Sequence, residues 1–195
     1  ALDTIKKLVD AGVVAFGGWN EQIQYIKAGT VAGAMYGAWY EGTIRTNAPD
    51  QAGKWGVYLM PASQKGGVRA ANIGGSALAI PASSKNKEAA WAFVKYALAT
   101  TEGQITMLKE YGLVPSYLPT LNDPYVKQPQ PYWGNQPIWQ LILGTLGGTQ
   151  YFQEARQIMT TIQADFLAGK YKTAKEALDA AARQISQATG LPIAR

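Results

Sequence analysis

The chain has 195 residues, of which 47% are hydrophobic and 16% are charged, with 18 Lys and Arg against 13 Asp and Glu. This composition excludes an intrinsically disordered chain, and the absence of cysteine and histidine excludes disulfide frameworks, thiol catalysis and histidine-based acid–base chemistry. Because the basic residues are scattered, the net charge of +5 predicts a solvated surface and no nucleic-acid partner.

The first half of the chain alternates between helical and strand-like hydrophobic patterns. Polar residues such as asparagine are placed to begin the helices, glycine ends them, and proline ends two of the strands. The predicted elements, in chain order, are a helix from Leu2 to about Gly12, a helix capped by Asn20 and ended by Gly29, a strand at 31–36, a short helix at 39–46, and strands at 55–60 and 77–80.

The second half is predicted to be helical apart from a long connection at 115–137 that is rich in Pro, Gln and Asn. Trp91 and Phe93 fall on a wide apolar stripe, so they are expected in the core. The predicted helices are 87–99 capped by Asn86, a helix capped by Thr101 and ended by Gly112, 136–146, 152–167, and 174–188, which begins with a capping-box pattern from Thr173 to Glu176.

The aromatic residues are the most informative side chains for function. Several lie at element edges beside Gly, Pro or Asn, where a ring can face a cleft and offer a stacking surface with a polar group on Tyr or Trp. Packing between elements is an equally good explanation for any one of them. The residues concerned are Trp39, Tyr40, Tyr132, Trp133, Tyr151 and Phe152.

Short motifs along nearly the whole chain resemble one family in both order and spacing. The segment 28–39, AGTVAGAMYGAW, is similar to a strand followed by a tryptophan in the family-1 extracellular solute-binding proteins of ABC sugar transporters, the maltose-binding-protein-like group. The other matching segments are WGVYLMP at 55–61, GGSALAI at 74–80, SKNKEAAWAFVK at 84–95, TEGQ at 101–104, GLVP at 112–115, GNQ at 134–136 and GKYKTAKEAL at 169–178.

The resemblance implies a type II periplasmic-binding-protein-like fold of the α/β class, in which two lobes close on a ligand about a hinge. It implies that this chain is mainly the second lobe. Residues 1–74 and 124–195 would form that lobe, and 75–123 would be the hinge crossing with a helical excursion that packs on the first lobe. The missing N-terminal half, or a second chain, is then expected to cover exposed apolar surface.

The same resemblance predicts the ligand-binding residues. Trp39 matches a stacking tryptophan, Phe152 a second aromatic, and Arg156 a position that reaches ligand hydroxyls. Gly74 and Gly75 match a backbone segment beside the cleft, and Tyr151 is adjacent to the second aromatic. Tyr40 and Trp133 are added from their chemistry alone.

The predicted function is non-covalent capture of a carbohydrate for the permease subunits of an ABC transporter. The predicted location is extracellular or periplasmic, with a lipid anchor at the missing N-terminus as one mode of attachment. No cofactor, metal or catalytic residue is predicted, because no phosphate-loop, metalloprotease or nucleophile-elbow motif occurs. Three alternatives stay open: a non-sugar solute such as a polyamine, an anion or a metal chelate, with Glu41 and Glu154 as the nearest acids; a carbohydrate-active enzyme lobe; and a protein-interaction domain.

Overall fold

A computed structural model describes residues 2–62, 64–71, 75–145 and 153–193. The helices in these residues, in chain order, are α1 Leu2–Asp10, α2 Trp19–Lys27, α3 Tyr40–Asn47, α4 Lys87–Ala99, α5 Thr101–Tyr111, α6 Ile138–Leu143, α7 Gln153–Leu167 and α8 Ala174–Thr189. Short 3₁₀ turns lie at Pro49–Gln51, Leu118–Asn122, Pro124–Lys127 and Pro131–Trp133.

The chain divides into two compact units, one formed by Ala1–Ala15 with Gly148–Arg195 and the other by Phe16–Gly147. We call them the terminal unit and the central unit. The predicted assignment of 1–74, 75–123 and 124–195 to lobes of a larger protein stays a prediction. None of the helices in the described residues combines the length and apolarity that a bilayer-spanning segment needs.

The terminal unit is a helical hairpin of α7 and α8 with Leu2 of α1 in its core. Ile162 and Phe166 of α7 are buried against alanines at 174, 177 and 181, whose small side chains let the helices approach closely. The start of α8 confirms the predicted capping residues. The Thr173 hydroxyl accepts a hydrogen bond from the Glu176 amide at 3.1 Å, and the Glu176 carboxylate accepts one from the Lys172 amide at 3.0 Å.

The central unit is built around α3, which packs against α2, α5 and the turn at Pro131–Trp133. Its largest buried side chain is Trp139 of α6, which is 1% exposed. The core consists of Ile26, Tyr40, Ile44, Ala48, Ile105, Leu108, Val126, Tyr132, Trp133, Ile138 and Trp139.

The helix-rich part of the fold prediction is confirmed, but the three predicted strands are wrong. Residues 31–36, 55–60 and 77–80 are irregular, and in the described ranges the pairing outside the helices is a single antiparallel bridge between Gln130 and Gln136. Side-chain hydrogen bonds to the backbone at 57–60 take the place of part of the backbone pairing that a strand would make. Arg69 donates to the Met60 and Leu59 carbonyls at 2.9 and 3.2 Å, and the Val57 amide donates to the Gln136 side chain at 2.7 Å. A strand forms only when its backbone pairs with a neighbouring one, and an apolar sequence pattern does not show whether such a neighbour exists.

The prediction that Trp91 and Phe93 are core residues is also wrong for this chain. They are 55% and 62% exposed, whereas Ala97 of the same helix is 7% exposed. Gly103 of α5 lies so close to α4 that a Cβ there would meet the Tyr96 carbonyl oxygen at 2.3 Å, which fixes the α4–α5 contact at this end. The apolar stripe of α4 is wider than α5 alone can cover.

Two predicted caps are displaced by one or two residues. The cap of α2 is Gly18 rather than Asn20, which lies inside the first turn. The cap of α5 is Thr100 rather than Thr101, and its hydroxyl accepts from the Gly103 amide at 3.0 Å. Asn86 is the cap residue of α4, as predicted, although its side chain makes no capping hydrogen bond.

The displaced cap of α5 gives a matched pair of variants. Thr100→Ala removes the hydroxyl that holds the Gly103 amide and is expected to lower the free energy of unfolding by about 1 kcal/mol. Thr101→Ala, one residue later inside the helix, is expected to leave that free energy within about 0.5 kcal/mol of the wild-type value. Urea unfolding of both variants measures this difference, and equal effects would contradict the assignment.

Candidate functional site

Four aromatic residues meet at the start of α3 and α2. Trp19, Tyr36 and Trp39 form what we call the aromatic surface, since Trp19 and Tyr36 are 45% and 41% exposed and Trp39 is half-buried. Tyr40, which is 3% exposed, lies beneath them and stacks on Tyr36 with ring centroids 4.5 Å apart. Trp39 is the residue before the first turn of α3, so the backbone of that helix sets its position.

The rings of the aromatic surface pack mostly edge to face. Trp39 meets Tyr36 at 5.2 Å and Tyr40 at 5.9 Å with ring planes nearly perpendicular, whereas Trp19 meets Trp39 at 5.8 Å with planes 31° apart. Burial, followed by the neighbouring phenol of Tyr36, raises the pKa of Tyr40 above its usual value of 10.0. The phenol of Tyr40 is neutral at physiological pH with or without this shift, so it adds no charge beneath the surface.

Glu41 anchors α3 beneath the aromatic surface. The residue is 7% exposed, and Oε1 accepts from Trp133 Nε1 at 2.9 Å and from Arg45 Nε at 2.9 Å. Arg45 also donates through Nη2 to the Lys109 carbonyl at 3.1 Å, near the end of α5. A carboxylate inside the core thus ties α3 to α5 and to the turn at Pro131–Trp133.

Two glycines allow α3 to approach the end of α5. A Cβ at Gly42 would lie 2.3 Å from the Tyr111 carbonyl oxygen, which leaves no room for a side chain. Gly112 has φ +69°, and a Cβ there would lie 2.5 Å from Glu41 Oε2. That oxygen is buried and has no hydrogen-bond partner among the described residues. The close contact restricts how far α3, and Trp39 with it, can move.

The aromatic surface does not line the depression that the structure forms beside α6. Within the described part of the central unit, a depression with a volume of about 520 Å³ lies between the 55–60 segment and α6. It is lined by residues that include Leu59, Gln136, Ile138 and Leu141, and none of its lining residues belongs to the aromatic surface. A ligand on Trp39 would therefore not lie in this depression.

Comparison with known proteins identifies the family. Residues 1–104 match the sequence model of the bacterial extracellular solute-binding proteins. A lactose-binding protein of Rhizobium radiobacter is 32% identical over 143 residues, which are 72% of this chain and 34% of that protein. The chain belongs to the bacterial extracellular solute-binding protein family. The resemblance predicted from the sequence motifs is thereby confirmed.

Two further relatives of this solute-binding protein are arabinooligosaccharide-binding proteins. That of Bacillus subtilis (strain 168) is 26% identical over 179 residues, which are 86% of this chain and 41% of the relative. That of Halalkalibacterium halodurans is 26% identical over 175 residues, which are 85% of this chain and 39% of the relative. The chain thus spans between 34% and 41% of the length of these relatives.

The structure of this solute-binding protein brings some predicted site residues together. Trp39 and Tyr40 are neighbours in the central unit, although Tyr40 is buried and leaves little of its ring open. Trp133 lies in the same unit but is 3% exposed and bound to Glu41, so its ring has no open face for a ligand here. Gly75 is exposed, and nothing lies within 4 Å of the place a Cβ would take.

The remaining predicted residues belong to the terminal unit or lie outside the described residues. Arg156 is exposed on α7, which belongs to the terminal unit of this solute-binding protein. Gly74, Tyr151 and Phe152 lie outside the described residues. The ligand-binding role of each predicted residue stays a prediction.

The sequence analysis of this solute-binding protein missed Trp19 and Tyr36. Trp19 follows Gly17 and Gly18 at the start of a helix, so the criterion that selected the other edge aromatics also applies to it. Tyr36 was assigned to the predicted strand at 31–36 and was therefore not considered as an edge aromatic. Glu41 was considered only as an acid for a polyamine, whereas in the structure Arg45 and Trp133 already occupy its Oε1.

Proposed function

We propose that this chain supplies one wall of the carbohydrate-binding cleft in the substrate-binding component of an ABC importer. The observation that carries the proposal is the half-buried indole of Trp39, fixed at the start of α3 and flanked by the exposed rings of Trp19 and Tyr36. Membership of the solute-binding protein family and the lactose-binding and arabinooligosaccharide-binding relatives support a saccharide as the ligand.

The proposed mechanism is capture without covalent chemistry. The C–H face of a sugar ring is apolar and flat, so it stacks on an indole and leaves its hydroxyls at the ring edge for hydrogen bonds. We propose that Arg156 and the backbone at Gly74 and Gly75 contact the hydroxyls and that Tyr151 and Phe152 supply further rings. The buried Tyr40 and Trp133 support the site from within the core.

The opposing wall of the cleft is proposed to come from the part of the protein outside this sequence, in a two-lobed type II arrangement. A ligand that touches both walls stabilises the closed form over the open one, and that difference is what permease subunits of the importer can recognise. The exposed apolar face of α4, with Trp91 and Phe93, is proposed to be covered by the same remainder or by a second chain. Such a component is extracellular or periplasmic, free or held by a lipid anchor.

Calorimetric titration tests the proposal. The whole natural protein that carries this sequence is titrated with galactose, lactose, arabinose, arabinobiose and arabinotriose, with spermidine and sulfate as non-sugar controls. Binding of at least one saccharide, recovered unchanged by chromatography afterwards, is the expected result. Binding of spermidine or sulfate alone would contradict the proposal, and so would turnover of a saccharide.

A further inference from the structure

We propose that Glu41 is a positioning residue for the saccharide: its hydrogen bond to Trp133 holds the first turn of α3, and with it the indole of Trp39, in place before a ligand arrives. This inference rests on the proposed function, because it concerns the same stacking ring. Glu41 is 7% exposed and does not itself face a ligand. It acts through the backbone of α3, two residues after Trp39.

The start of α3 has no side-chain cap of its own. Trp39 occupies the cap position with helical backbone angles, and its side chain makes no capping hydrogen bond. The amides of Tyr40 and Glu41 donate instead to carbonyls three residues earlier, at 2.9 and 3.1 Å. The uncapped end of an eight-residue helix frays readily, so a second restraint is needed to keep Trp39 in one position.

Glu41 supplies this restraint from inside the core. Its Oε1 accepts from Trp133 Nε1 at 2.9 Å, and Trp133 is 3% exposed in the turn at Pro131–Trp133. Arg45, one turn further along α3, donates to the same oxygen and balances the charge. The bond to Trp133 restricts the movement of α3, because breaking it would leave the buried indole N–H without an acceptor.

Stability alone is a poor reason for a carboxylate at this position. A buried ion pair carries a desolvation cost, and its exchange for well-packed apolar side chains is often neutral or stabilising. Oε2 of Glu41 adds to that cost, because it is buried without a hydrogen-bond partner among the described residues. A directed hydrogen bond is what the carboxylate provides and an apolar side chain lacks, and it fixes how α3 is rotated against the turn at Pro131–Trp133.

The packing around Trp39 makes its position sensitive to movement of α3. Its ring lies between three others, those of Trp19, Tyr36 and Tyr40, with centroids 5.2 to 5.9 Å apart. A shift of the first turn of α3 would therefore change which face of the half-buried indole is open. An aromatic ring fixed in advance loses little conformational entropy when a ligand stacks on it.

Saccharide affinity, measured at a temperature where each variant is fully folded, tests this inference. In the whole natural protein, Glu41→Ala is expected to weaken binding of the tightest-binding saccharide of the panel about tenfold, because Trp39 loses its fixed position. Glu41→Gln keeps an acceptor for the Trp133 indole and is expected to stay within about threefold of wild type. Thr100→Ala, the cap variant of α5, is the control for lost stability and should bind as the wild type does.

Trp133→Phe gives an independent variant, since it keeps a buried ring and removes the indole N–H. It is expected to weaken binding about as much as Glu41→Ala does. The double variant should bind about as weakly as either single one, because all three lack the same hydrogen bond. A double variant that binds about a hundredfold more weakly than the wild type would show two independent effects and would contradict the inference.

The indole resonance of Trp39 in the ligand-free protein is a readout that lost stability alone would not move. Nitrogen-15 NMR is expected to show it shifted in Glu41→Ala and unchanged in Thr100→Ala. If it is unchanged in Glu41→Ala, or if that variant binds saccharide as tightly as the wild type, the inference is wrong while carbohydrate binding stands. If no saccharide binds the wild-type protein, the proposed function fails and the inference fails with it.

Discussion

Replacing Trp39 by alanine is expected to weaken saccharide binding about 30-fold, a loss of ~2 kcal/mol. Trp39 is the tryptophan that precedes α3, and it contacts Trp19, Tyr36 and Tyr40. The substitution removes the stacking ring and also the neighbour that orients the other two exposed rings. Central aromatic anchors of this kind contribute most of the binding free energy of a site.

The measurement for Trp39 is calorimetric titration with the tightest-binding saccharide of the panel. Trp39→Phe keeps an aromatic face and is expected to lose less affinity than Trp39→Ala. Leu178→Ala removes a large apolar side chain that is 45% exposed on α8 and that the proposed site does not use, so it should bind as the wild type does. An unchanged dissociation constant for Trp39→Ala, with its unfolding curve also unchanged, would refute the assignment of the stacking site.

Glu41→Ala is expected to lower the free energy of unfolding of the central unit by about 2–3 kcal/mol. The change leaves Trp133 Nε1 buried without its acceptor and removes the ion pair to Arg45. The Arg45 side chain is 34% exposed, so water and the Lys109 carbonyl compensate part of its loss. The remaining cost comes mainly from the buried indole N–H and from the cavity left behind.

Glu41→Gln is the matched variant, because its amide oxygen can still accept from Trp133 in nearly the same volume. We expect it to cost about 1 kcal/mol, chiefly from the weakened bond to Arg45. All six tryptophans, at 19, 39, 55, 91, 133 and 139, fall in Phe16–Gly147, so tryptophan fluorescence during urea unfolding reports on the central unit. Equal losses for the alanine and glutamine variants would show that the acceptor for Trp133 does not stabilise this unit.

The helices of this chain could be predicted from its sequence because their signals are local. Apolar spacing and a terminal glycine place α5, and Gly112 adopts the left-handed conformation that ends it. Apolar spacing and the capping box from Thr173 to Glu176 place α8. The cap of α5 was misplaced because two adjacent threonines satisfy the same pattern. Only the backbone geometry decides that Thr100, with its extended conformation, accepts the Gly103 amide.

The irregular backbone at the three predicted strands and the exposure of α4 could not be predicted. Both depend on neighbouring segments that a sequence pattern does not identify. Residues 55–60 carry a strand-like pattern, but a ladder needs a second backbone beside it. The apolar stripe of α4 was interpreted as core, yet Trp91 and Phe93 are more than half exposed. Periodicity shows which face of a helix is apolar and leaves open what covers that face.

Trp39, at the centre of the candidate site, could be predicted from the sequence, but the residues that contact it and hold α3 in place could not. Trp39 was identified from the motif at 28–39, whereas its contact with Trp19 joins residues 20 positions apart across irregular backbone. The hydrogen bond from Trp133 to Glu41 spans 92 positions, and neither residue carries a local signal for it. Such contacts arise from the packing of α3 against distant segments.

Nitrogen-15 NMR of the tryptophan indoles most directly tests whether a saccharide stacks on Trp39. This chain contributes six indole N–H groups, which are assigned by single substitution in the whole natural protein, and the tightest-binding saccharide is added to saturation. We predict that the resonances of Trp39 and Trp19 shift most, while that of Trp139, which is 1% exposed, stays in place. A saturated complex in which the Trp39 resonance does not move would contradict the account.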